Sequence, residues 1–331
     1  MVQEGNEFCP HCGRNLSDTD HITEEEFQAY SSRSRGHFPW FLLICCVLLM
    51  LPALFGFFMP HGEPAPEYGP MDRTVTWDMY DYKNLGIGSD VKYTGEPVHT
   101  FTITYTVDEE ELSMANRSNI DREGSQLAER DAHGHHAVKD YVVVGKTVNK
   151  LSQTLWKTYS DFVSVSGNEQ YKTAEYFADY LLSFVEVAVE YAYDSDEYGK
   201  DEYWLYPVET LYSNKGDCED TSILLCAIYC SMAAIHETDP AYAFSPDSYI
   251  RGACCFGLPG HFMTGVMISG AMSDADYPVY SYKGTYGGST GTYYFCETTG
   301  EADSQFPLAY TGMGHSYVSF YPGSVSTYVT A

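Results

Sequence analysis

At 331 residues the chain has room for about two domains, and its 46 acidic against 18 basic residues give a net charge of −28. That balance argues against nucleic acid as a partner, because binding it requires a basic face to neutralise phosphates. It fits instead a well-solvated surface that meets an aqueous exterior or a salty medium.

Residues 1–36 begin with Phe8-Cys-Pro-His-Cys-Gly13. The Cys9/Cys12 pair, with Pro inside and Gly after it, has the form of half a zinc-ribbon knuckle, in which both sulfurs converge on one metal. A structural zinc needs four ligands, and no second Cys-x-x-Cys follows. His11 and His21, or a second copy of the chain in a homo-oligomer, would complete the set; the alternative is a degenerate knuckle that binds nothing. The remainder, through Glu24-Glu-Glu26 and Ser31-Ser-Arg-Ser-Arg35, reads as a solvated tether.

Phe38 to Met59 carries no charge. As a helix it would extend ~33 Å, enough for a hydrocarbon core of about 30 Å, so 38–59 is expected to be a single transmembrane helix. A signal peptide is disfavoured by the late start and the lack of a small-residue cleavage site. A buried core helix is disfavoured by the length of the uncharged run. Arg33 and Arg35 precede the span and the next basic residue is Arg73, which puts the N-terminus in the cytoplasm and the rest outside the cell membrane. Reduced thiols at Cys9 and Cys12 fit the cytoplasmic side.

Residues 60–72, with Pro60, Pro64, Pro66 and Pro70, form an extended spacer. Residues 73–137 are expected to be β-rich, with alternating apolar residues over 75–82 and 98–107 marking an antiparallel pair. The polar stretch 108–137 reads as a helix or loop and includes the glycosylation sequon Asn116-Arg-Ser118. His133-Gly-His-His136 has no carboxylate or cysteine at ligand spacing in the sequence and reads as a surface cluster.

The main domain is expected over 138–331. Its first elements are a short strand at 141–145, a helix at 147–162 with Val148, Leu151, Leu155 and Trp156 on one face, and an apolar helix at 173–192. An acidic loop follows at 194–201. A Pro/Gly/Asn-rich loop then ends at Gly216, and Asp217 reads as the N-cap of a helix whose apolar run covers 223–235. Cys218 therefore stands at the positive end of a helix, where a thiolate is stabilised. The flanking acids Asp217 and Glu219 oppose that stabilisation. Cys226 and Cys230, one turn apart, read as packing residues. With Cys218 as a free nucleophile, five cysteines remain after residue 218, so no complete disulfide framework is implied. Downstream, His261 opens a strand after a Gly/Pro turn, a short strand is expected near 279–283, and Glu297 closes Thr292-Tyr-Tyr-Phe-Cys-Glu297.

The order Cys218, His261, Glu297, within Gly216-Asp-Cys-Glu-Asp220, Gly260-His261 and Glu297-Thr-Thr-Gly300, resembles the transglutaminase-like superfamily of papain-type cysteine enzymes. The similarity is to a membrane-anchored archaeal and bacterial branch with a Tyr-Pro-x-Glu-Thr-Leu and Gly-Asp-Cys-Glu-Asp pattern, and it covers roughly residues 140–312. It implies an α+β fold with helices packed on an antiparallel sheet, no cofactor for catalysis, and a protein or peptide substrate. By resemblance Cys218 is the nucleophile, His261 its base and Glu297 the acid that orients the imidazole. The backbone N–H of Cys218 would serve an oxyanion site. The chain departs from the pattern in having Glu297 where aspartate is usual, and Phe262-Met263 after the histidine. Two functions follow: acyl transfer or amide hydrolysis at Cys218, or a catalytically inactive module that binds a surface polymer or a protein partner.

Overall fold

The computed structural model describes residues 68–79, 97–118, 120–124, 133–258, 261–270, 281–286, 289–299 and 327–330. Cys9, Cys12, the tether, the apolar span 38–59 and most of the Pro-rich spacer lie outside these residues. The described elements are mixed helix and mainly antiparallel sheet, an α+β arrangement.

The first layer is a hairpin-like pair, β1 (Asp72–Met79) and β2 (His99–Thr106), in antiparallel register with Val75 opposite Ile103 and Trp77 opposite Phe101. Period-2 alternation explains its two faces. Val75, Trp77, Phe101 and Ile103 are buried, while Thr74 and Thr76 meet Thr104 and Thr102 across the exposed face through hydroxyl pairs at 2.8 and 2.9 Å. A short helix α1 (Glu109–Asn116) follows, capped by the Asp108 carboxylate, which accepts from Glu111 N–H at 3.0 Å.

Two long helices come next, α2 (Lys146–Val163) and α3 (Ala174–Ala188), close to the expected bounds. The strand expected at 141–145 is not formed; a 3₁₀ turn at Val138–Asp140 stands before it, and Tyr141 is buried as a ring against Trp204, with centroids 5.2 Å apart. Tyr141 alone of the 141–145 stretch is buried and Val143 is exposed, so apolar composition there marked neither the conformation nor the burial of the valines. The aromatic faces of β1 and β2 pack on α2 and α3, with Phe101 edge-on to Tyr180 at 4.7 Å and Trp77 at 5.2 Å from the same ring. Such pairs are worth ~1 kcal/mol beyond their buried area.

The chain then forms β3 (Glu190–Tyr191), α4 (Asp194–Glu197), α5 (Pro207–Ser213) and β4 (Lys215–Gly216), with β3 and β4 paired in parallel. Pro207 suits the first turn of α5, and Glu209 accepts from the Tyr206 backbone N–H at 2.9 Å, so this acid is a cap and anchor.

The central element is α6 (Cys218–Thr238). By length and composition it could cross a membrane, but it is the core helix of this body. One side packs on β5 (Ile250–Leu258) and β6 (His261–Ile268), the other on α2 and α3. Polar pins set its position: Tyr229 Oη donates to Ala178 O at 2.9 Å, Ser231 Oγ to Asn149 Oδ1 at 2.8 Å, and Thr264 Oγ1 to Ser222 O at 2.7 Å. The sheet is completed by β7 (Ser281–Tyr286), β8 (Ser289–Cys296) and β9 (Thr327–Thr330), in the order β7-β8-β6-β5-β9. Cys254, Phe256, Leu258, Met263, Met267, Tyr293 and Phe295 form an apolar cluster on this sheet.

Gly265 in β6 lies beneath the Phe256 ring, where an added Cβ would overlap the aromatic carbons. Gly265→Ala is expected to destabilise the protein by roughly 1–3 kcal/mol through overpacking, read as a lower urea midpoint with an unchanged slope.

Candidate functional site

Each of the three residues expected to be catalytic falls at the end of an element, while Cys9 and Cys12 lie outside the described residues. Cys218 is the first residue of α6, His261 the first of β6, and Glu297 the first after β8. All three are buried. The sheet brings the last two together because β6 and β8 are neighbours, with Thr264 opposite Cys296. His261 Nε2 lies 2.8 Å from Glu297 Oε2. The other carboxylate oxygen, Oε1, accepts from Thr299 N–H at 2.9 Å and from Thr299 Oγ1 at 2.6 Å.

Burial alone would raise the Glu297 pKa. The charge of His261 and its hydrogen bond, with the two bonds from Thr299, outweigh burial and hold it at about 2. Glu297 is thus an anion at any physiological pH, and it engages one imidazole nitrogen, Nε2. Glu for Asp is accommodated by geometry: the longer side chain still reaches the ring.

The first turn of α6 is tied to the same corner. Thr221 Oγ1 pairs with Thr298 Oγ1 at 2.8 Å, one residue beyond Glu297, and Ser222 Oγ lies 3.3 Å from the same hydroxyl. The Cys218 thiol donates to Glu219 Oε2 at 3.3 Å. Burial pushes the thiols of Cys254, Cys255 and Cys296 up, which makes them poor nucleophiles.

Two expectations about the acids around Cys218 are corrected. Asp217 holds the N-cap position, but its carboxylate makes no capping bond; its backbone carbonyl accepts from Thr221 N–H at 3.1 Å and Thr221 Oγ1 at 2.7 Å. The carboxylate is instead part of a buried group. Oxygens of Asp194, Asp217 and Asp220 lie within 4.8 Å of one another. Asp220 Oδ1 accepts from Leu205 N–H at 2.7 Å, and Asp194 Oδ2 accepts from Tyr203 N–H, so these acids also hold the 203–205 segment. Gly216 gives them room, since a Cβ there would come 2.8 Å from Asp220 Oδ2.

The second correction concerns charge. Burial first, and then the neighbouring acids, push Asp217, Glu219 and Asp220 well above the usual carboxylate range, and Asp194 to about 8. Acids whose pKa is raised favour their protonated form, which weakens the opposition they offer a thiolate. The all-oxygen donor set of Asp194, Asp217 and Asp220 is also of the kind a hard dication accepts.

Sequence reasoning did not single out Thr221, Thr298 and Thr299. The pair Thr298-Thr299 directly after Glu297 was the available signal, because a hydroxyl and a backbone N–H two residues on are the ordinary partners of a carboxylate in a turn. Asp194 gave no signal, since only the parallel pairing of β3 with β4, with Tyr191 opposite Gly216, brings it to residues 217–220.

No family model and no curated protein matches this chain.

The raised acids make stability depend on pH. A carboxyl whose folded pKa lies above its unfolded value binds its proton more tightly in the native state, so stability falls as pH rises between the two values. For Asp194 that window runs from 3.8 to about 8. Asp194→Asn is expected to flatten the fall in thermal midpoint between pH 5 and pH 8 and to raise the midpoint at pH 8, measured by calorimetry at both pH values.

Proposed function

We propose that the chain is a membrane-anchored, extracytoplasmic cysteine enzyme of transglutaminase-like type, which transfers acyl groups from amide or peptide bonds through Cys218, His261 and Glu297. The observation that carries the reading is the buried His261–Glu297 contact at 2.8 Å, with Glu297 held anionic at the end of the strand beside β6. A base fixed by a third group is the recurring arrangement behind an activated nucleophile.

The chemistry follows from those parts. His261 Nδ1 takes the thiol proton of Cys218, and Glu297 stabilises the imidazolium through Nε2–H. The thiolate attacks the carbonyl carbon, and the C=O electron pair moves to oxygen. Backbone N–H groups at the start of α6 face the oxyanion. Collapse expels the amine, which takes the proton from His261 and leaves a thioester on Cys218. Water or a second amine then attacks the thioester, with His261 again taking and returning the proton. Which of the two accepts the acyl group distinguishes hydrolysis from transamidation.

In the same reading the uncharged span 38–59 is a single transmembrane helix with the N-terminus in the cytoplasm. The Cys9/Cys12 knuckle then lies inside, and the acyl-transfer domain acts on protein or peptide outside.

One observation favours the second reading, an inactive binding module. The thiol rests against Glu219 at 3.3 Å, a contact that a nucleophile must give up to reach its base.

The two readings separate on thiol reactivity. Iodoacetamide alkylation of the full chain in detergent is followed from pH 5 to 9, with Cys218→Ala assigning the signal. The enzyme reading expects Cys218 to react well below the pH of an ordinary thiol of pKa about 8.5. It also expects His261→Ala to move the reaction to higher pH, and Glu297→Gln to lower amide turnover by roughly 10²–10⁴-fold. Reactivity of Cys218 no earlier than an ordinary thiol would favour the binding module.

A further inference from the structure

The stretch His133-Gly-His-His136 reads as a surface cluster in the sequence, but the fold brings two carboxylates to one of its rings. His135 Nε2 lies 3.5 Å from Glu123 Oε2 and 3.7 Å from Asp121 Oδ2. His133 sits beside it, with ring centroids 5.8 Å apart, and Gly134 between them adopts a φ of +88° that few other residues take readily.

The two carboxylates stand on a fixed segment. Arg122 turns inward and grips Glu209 with both terminal nitrogens, at 2.7 and 2.9 Å, while its carbonyl accepts from Trp204 N–H at 2.8 Å. Gly124 lies flat on the Trp204 ring, where a Cβ would overlap it. Tyr141 Oη donates to the Asp121 carbonyl. Asp121 Oδ1 accepts from Glu123 N–H at 3.1 Å, which leaves Oδ2 as the oxygen nearer His135. On the histidine side, Val138 and Tyr141 are buried and fix the turn that follows.

We infer that His135, Asp121 and Glu123, with His133 as fourth ligand, form a surface site for a borderline dication such as Zn²⁺. Imidazole nitrogens with carboxylate oxygens are the donor set such ions take. Bonds of about 2.0–2.1 Å in a tetrahedron place two ligand atoms ~3.3 Å apart, and the two N···O separations here are within a few tenths of that. The Asp121 and Glu123 carboxylates stand further from each other than from His135, and Glu123, the most exposed of the three, is the side chain that would turn in to close the set. The bound ion would fasten the 133–136 loop to the 121–124 segment, whose Arg122 is held by Glu209 of α5.

Zn²⁺ is spectroscopically silent, so the test uses Co²⁺ titrated into the full chain, followed by displacement with Zn²⁺. The expected result is a visible d–d spectrum of nitrogen and oxygen ligation, abolished by Zn²⁺, lost in His135→Gln and weakened in Asp121→Asn. His136→Gln, whose ring faces Asp140 at 3.2 Å, should retain it. Metal held by Cys9 and Cys12 adds thiolate charge-transfer bands in the near ultraviolet, which His135→Gln leaves unchanged. Thiolate bands alone in the wild type, an undiminished spectrum in folded His135→Gln, or equal loss in His136→Gln would overturn the inference. Should His135→Gln not fold by circular dichroism, Asp121→Asn and Glu123→Gln carry the same comparison.

Discussion

Burial of α6 is the constraint on which the described body depends. The helix is apolar on nearly every side, so it needs cover from two layers at once, and β5 with β6 supplies one while α2 with α3 supplies the other. Ile223, Leu224, Leu225 and Ile228 are fully enclosed, and each contributes about 1.5–3 kcal/mol by leaving water. That gain draws the first turn inward as well. Asp217, Cys218, Glu219 and Asp220 are buried because the helix behind them must be, and the chemistry of the site follows from this placement.

Equal burial then produces opposite electrostatics at two places. Glu297 is enclosed but receives His261 and two bonds from Thr299, so its charged form is the stable one. The acids before and after Cys218 are enclosed mainly with one another, and each is stabilised by its proton. A carboxylate in a low-dielectric interior is decided by its partners, since desolvation acts on every such group in the same sense. One corner of the fold thereby holds an anion at the imidazole next to a set of acids whose protonated forms are favoured by burial.

The region before α2 is packed into the same structure rather than hung from it. The aromatic faces of β1 and β2 cover α2 and α3, and the Arg122–Glu209 pair joins the 120–124 segment to α5. Removing one partner of a buried ion pair costs more than the pair contributes, because a charge is left without compensation. Arg122 also lies against the rings of Tyr203 and Tyr206, so the loop leading to Cys218 is held on two sides.

Much of this was legible in the sequence. Alternation marked β1 and β2, the 3.6-residue period marked α2, and the apolar run after a Gly-Asp turn marked α6 with Cys218 at its start, because these patterns report local geometry. The order Cys218, His261, Glu297 proposed a site without any distance. Tertiary structure alone decided that Glu297 reaches His261, since strand order and register put β8 beside β6. It alone turned the Asp217 carboxylate away from its cap toward Asp194, 23 residues earlier in the chain, and brought two carboxylates to His135. Contacts between elements remote in sequence depend on how helices and strands pack, and no local pattern of residues encodes where a side chain from another element will arrive.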